Sequence, residues 1–78
     1  MMKINLLAFG QIADITGQAN WQLQDIMDTD ALIQLLYSQY PALKETEFSL
    51  AVNKKLIHSN CVLQQEDTVA LLPPFSGG

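Results

Sequence analysis

The chain has 78 residues, enough for one core and one domain but too few for two self-supporting ones, which excludes two-domain enzyme architectures. Its residues are 49% hydrophobic and only 15% charged, against roughly 25% charged in an average soluble protein, so the composition is that of a folded, core-rich chain. Eight acids against four lysines, with no arginine, leave a net charge of −4, which argues against nucleic acid as a partner and fits other proteins.

Ile4, Leu6 and Ala8 alternate with Lys3, Asn5, Leu7 and Phe9, which predicts a strand with one face in the core. Gly10 breaks it. Residues 11–16 suit a helical turn before Gly17, and Trp21 and Leu23 alternating with Gln22 and Gln24 predict a second strand, with a tight loop making the two a hairpin. Asp28, Thr29 and Asp30 precede a segment in which Leu32, Leu35, Leu36 and Tyr40 share one helical face. This is the main helix, with Asp28 or Thr29 as N-cap and Pro41 as its stop. After a polar linker, Phe48, Leu50 and Val52 alternate with Ser49, Ala51 and Asn53. Asn53-Lys54-Lys55 reads as a turn, residues 56–58 as a short strand, and residues 64–67 as a polar turn. Residues 68–72 predict a last strand that Pro73-Pro74 must end or push to a sheet edge.

That order is the outline of a β-grasp, an α+β fold with a mixed four- to five-stranded sheet and one main helix. The first and last strands would then lie parallel and adjacent in the middle of the sheet. Residues 1–74 make the domain and residues 75–78 a flexible tail.

Conventional catalytic chemistry has little support. His58 and Cys61 are three apart with no evident base and orienting group to complete a nucleophilic site. One His and one Cys are too few for a metal site, so no metal is expected. Asp28 and Asp30 are accounted for as capping residues, Glu66 and Asp67 as turn residues, and Cys61 as a small buried or half-buried side chain. A lone cysteine suits a reducing cytoplasm. No run approaches the roughly 18 apolar residues of a membrane span, so no membrane partner is expected.

The informative feature is the end, Pro73-Pro74-Phe75-Ser76-Gly77-Gly78. A terminal Gly-Gly arises by chance about once in 200 sequences, given the average frequency of glycine. Two prolines stiffen the exit from the sheet, and two glycines give a thin tip able to enter a narrow site on another protein. The tip presents a carboxylate, which becomes an acyl electrophile once converted with ATP to an acyl-adenylate.

Ala51-Val52-Asn53, the run Asp67 to Gly78 with its Pro-Pro-x-x-Gly-Gly end, and the Phe9-Gly10-Gln11 and Thr16-Gly17 opening resemble the sulfur-carrier small-subunit family of molybdopterin synthase, a ubiquitin-like β-grasp family. The resemblance implies a carrier and not an enzyme. An ATP-dependent adenylating enzyme would activate the Gly78 carboxylate, and a sulfur donor would convert it to a thiocarboxylate. The tail would then enter the large subunit, whose side chains convert cyclic pyranopterin monophosphate to molybdopterin. It implies a heterotetramer, no resident cofactor, and ATP used only by the activating enzyme.

Partner docking is expected on Leu7 and Phe9 of the first strand and Leu72 of the last, with Leu56 joining them as the resemblance also suggests. The same surface would bind the adenylating enzyme and the large subunit in turn. The chain departs from the family at three positions. Glu66 stands where a glycine is usual, Ala13 where a basic residue is frequent, and Phe75 where a smaller aliphatic is found. Two alternatives share the fold and the Gly-Gly end: a carrier of the thiamine type, and a ubiquitin-like modifier joined through Gly78 to a target lysine. A third is a plain interaction module.

Overall fold

A computed structural model describes residues 2–74. The chain opens with β1 (Lys3–Ala8), followed by α1 (Gly10–Thr16), β2 (Asn20–Gln24) and α2 (Thr29–Gln39). A 3₁₀ segment (Pro41–Glu45) leads to β3 (Ser49–Val52), β4 (Lys55–Ile57) and β5 (Thr68–Leu72). The strands form one sheet in the order β2-β1-β5-β3-β4. β1 and β5 are parallel, and every other pairing is antiparallel.

One face of this sheet makes the core. Ile4, Leu6 and Ala8 of β1 and Val69 and Leu71 of β5 point inward, and Leu32 and Leu36 of α2 close over them. Burying a leucine or isoleucine side chain stabilises by about 1.5–3 kcal/mol, so these few residues dominate the energetics. α2 starts where expected: the Asp28 carboxylate accepts from the Ala31 N–H at 2.8 Å, satisfying a free donor of the first turn. A second cap comes from far along the chain. Asn60 Oδ1 accepts from the Asp30 N–H at 2.9 Å and from the Thr29 hydroxyl at 3.2 Å.

Three expectations need correction. β1 and β2 pair antiparallel, but α1 and the Gly17 turn join them, not a tight hairpin loop. Gly17, at φ 73°, supplies the left-handed cap that ends α1, and its N–H donates to the Ala13 carbonyl. The polar linker after α2 is a 3₁₀ segment that drives Leu43 into the core. The turn after β3 is only Asn53-Lys54, because Lys55 already pairs with Val52.

Candidate functional site

The register of the sheet decides what lies on the face away from the helices. Leu7 is opposite Ala70, Ala70 opposite Ala51, and Ala51 opposite Leu56, so these four form one row across β1, β5, β3 and β4. One step further along, Phe9 follows β1 and Leu72 ends β5, and both line the same face as Leu7, Ala51 and Ala70. One step back the row is polar, with Gln22, Asn5, Thr68 and Asn53. The outer face is therefore polar at one end and apolar at the other.

Between them lies an open depression of about 540 Å³, lined by Leu7, Phe9, Ala51, Asn53, Lys54, Thr68, Ala70 and Leu72. Phe9 is 47% exposed and Leu56 50% exposed. Apolar side chains grouped and open in this way differ from the singly scattered ones that every protein surface carries.

All four expected docking residues lie on this face. Leu7, Phe9 and Leu72 line the depression, and Leu56 extends its row onto the edge strand. Phe9 belongs to no strand: β1 ends at Ala8, and Phe9 is the extended residue that caps α1.

β5 delivers the chain out of the sheet at the apolar end. Pro73 follows Leu72 directly and packs beside Gly10, where an added Cβ would meet Pro73 Cγ at 3.5 Å. Gly10 has φ 54°, a conformation that favours glycine, so the turn that starts α1 lies flat against the root of the tail. Pro74 lines a separate groove on the helix side with Tyr37, Phe48 and Leu50. The remaining expected tail residues, Phe75, Ser76, Gly77 and Gly78, lie outside the described residues.

The start of β5 is locked by side chains. Asn53 Nδ2 donates to Asp67 Oδ1 at 2.9 Å, and Asn53 Oδ1 accepts from the Thr68 N–H at 2.9 Å. The other Asp67 oxygen accepts from the Gln64 N–H at 2.8 Å. Separations of about fifteen residues left this clamp illegible in the sequence, where Asn53 and Asp67 read simply as turn formers.

His58 is exposed just beyond β4, and Cys61 is half-buried, its backbone N–H donating to Thr29 Oγ1 at 2.9 Å. No hydrogen bond joins them among the described residues. Nor, among those residues, is any group of three His, Cys, Asp or Glu side chains placed to hold a metal ion. No helix of the described residues is long and apolar enough to cross a membrane.

A β-grasp sheet whose last strand runs beside an apolar patch and out toward a Gly-Gly end defines a ubiquitin-like carrier or modifier type of protein. The ThiS family model matches residues 6–78, and the chain belongs to that family. A curated molybdopterin synthase sulfur carrier subunit from Arabidopsis thaliana is 27% identical over 81 residues, covering 99% of this chain and 84% of that protein.

Among solved structures, the complex of subunits 1 and 2 of molybdopterin-converting factor from Helicobacter pylori matches with a TM-score of 0.75 and 29% identity, covering 99% of this chain and 100% of that one. The small archaeal modifier protein 1 of Haloferax volcanii matches with a TM-score of 0.80 and 16% identity, covering 96% and 100%. That likeness is one of fold. The ubiquitin-like β-grasp and the sulfur-carrier resemblance read from the sequence are both borne out.

Proposed function

We propose that this chain is the sulfur carrier of molybdopterin synthase, a co-substrate whose reacting atom is the Gly78 carboxylate carbon. The observation that carries the reading is the meeting of the apolar end of the outer face with the root of the tail at Pro73-Pro74. A partner that grips Leu7, Phe9, Leu56 and Leu72 holds the tail beside its own active site. The family match running through residue 78 supports the tail as the working end.

The chemistry follows from the carboxylate. An adenylating enzyme joins it to AMP, releasing pyrophosphate from ATP. A sulfur nucleophile then adds to the acyl carbon and displaces AMP, leaving a thiocarboxylate. In the large subunit the thiocarboxylate sulfur passes to cyclic pyranopterin monophosphate as it becomes molybdopterin, and the catalytic side chains are the large subunit's. The Helicobacter pylori relative, solved with its subunit 2, supports a large-subunit partner. The carrier needs no cofactor of its own, works in the cytoplasm, and sits in a heterotetramer of two small and two large subunits.

Intact mass spectrometry tests the reading. After incubation with the adenylating enzyme, ATP and a sulfur donor, the chain should gain the mass of one sulfur less one oxygen. Adding the large subunit and cyclic pyranopterin monophosphate should restore the original mass. Deleting Gly78, or adding a residue after it, should abolish both changes without moving the thermal unfolding midpoint, since chain termini are where changes are commonly tolerated. Normal sulfur transfer by the deletion variant would reject the proposal. A lysine-linked adduct in place of the thiocarboxylate would favour the modifier reading, and sulfur transfer only to a thiamine precursor the thiamine-type one.

A further inference from the structure

Four non-glycine residues have a left-handed backbone: Asp25 at φ 62°, Asn53 at 50°, Lys54 at 73° and Glu66 at 70°. Three have a local reason. Asp and Asn accept this region more readily than other types, and Asn53 is held further by its bonds with Asp67 and Thr68. Glu66 is held in part by Lys3, whose carbonyl accepts its N–H at 2.7 Å and whose ammonium lies 3.5 Å from its carboxylate.

Lys54 has no such support. Among the described residues its side chain makes no hydrogen bond and no ion pair. It is the second residue of a two-residue turn between Val52 and Lys55, the place where glycine is the default because any Cβ is strained there. Strain kept without local compensation points to a role outside the folded chain.

The position of Lys54 suggests that role. It lines the outer-face depression beside Asn53 and Thr68, at the end away from Phe9 and Leu72. From Thr68 to Leu72 the strand covers roughly 13 Å. The other lysine on this face, Lys3, is engaged by Glu66. The apolar strip is thus bracketed by the root of the tail at one end and, at the other, by an ammonium without a partner among the described residues.

Resting on the reading that this face docks the large subunit, we propose that Lys54 sets the register of that interface by meeting a carboxylate on the partner. Apolar contact is non-directional and tolerates sliding. A charge pair at the far end of the strip selects the one placement in which the tail points into the partner's site.

The test uses full-length Lys54→Glu, Lys54→Gly, Lys54→Arg and Phe9→Ala, with binding kinetics on the purified cognate large subunit at low and high salt and thermal unfolding of each variant. Lys54→Glu should slow association about tenfold at low salt, and the deficit should close near 1 M salt, where the screening length is about 3 Å. Lys54→Gly should bind about threefold more weakly and yet unfold at or above the wild-type temperature, a split that a purely structural residue does not produce. Lys54→Arg should retain wild-type association.

Wild-type association by Lys54→Glu, with weakened binding by Phe9→Ala, overturns the role of Lys54 and leaves the docking face standing. Wild-type binding by Phe9→Ala as well rejects the face and Lys54 with it. A lower unfolding temperature for Lys54→Gly overturns the strain argument.

Discussion

Glu66 shows how a single backbone angle is weighed against a surface contact. Its φ of 70° sits where the family resemblance expects glycine, and holding a side chain there costs about 1–2 kcal/mol. Against this, glycine carries an extra folding entropy cost of about 0.5–1 kcal/mol. The ion pair to Lys3 is half-buried on the Lys3 side and exposed on the Glu66 side and is worth about 0.5 kcal/mol after screening. Strain relief is the largest of the three. Glu66→Gly should therefore raise stability by about 0.5 kcal/mol, a shift of roughly 2–4 °C in the unfolding midpoint. Calorimetry showing a fall of that size would mean that the Lys3 contact outweighs the strain.

At the scale of elements, the pairing of β1 with β5 decides which side chains share a face. The parallel register sets Leu7 beside Ala70 and Ala8 beside Leu71, so the alternation of each strand is transferred in phase to the other. Inward residues build the core under α2, and outward ones build the apolar end of the outer face. Phe9 and Leu72 are outside that core, so truncating either should leave a folded protein. As interface anchors, Phe9→Ala and Leu72→Ala should each weaken binding to the large subunit by about 1–4 kcal/mol, the usual range for a hot-spot truncation. Titration calorimetry checks this; wild-type affinity for both variants would remove this face from the interface.

Across the whole molecule, the tail leaves the sheet beside one apolar surface, and the proposed cycle requires two partners to handle that tail. An adenylating enzyme and a large subunit that both grip the outer face cannot bind together. Excess large subunit should thus inhibit adenylylation of the carrier in proportion to its occupancy, and a three-component mixture should contain two binary complexes and no ternary one. A stable ternary complex in size-exclusion chromatography would show that the partners use separate faces. The charge distribution suits exchange between them: with a net charge of −4, the chain stays soluble between partners.

Most of the architecture was written in the chain, because burial imposes a period of two on strands and near 3.6 on helices. Ile4-Leu6-Ala8, the Leu32–Leu36 face capped by Asp28, and the strand from Thr68 to Leu72 are all where that periodicity places them. The tail reading rests on another ground: Pro-Pro and Gly-Gly are statements about backbone freedom and need no tertiary context. Contacts between distant segments could not be read. Asn60 capping α2 from some thirty residues away, Asn53 clamping Asp67, and Leu43 entering the core from a linker of polar composition depend on how segments meet, which no local pattern encodes. Gathering Leu7, Ala70, Ala51 and Leu56 into one row, with Lys54 at its margin, was likewise decided by strand order and register, since composition says only that such residues exist and the sheet says which of them are neighbours.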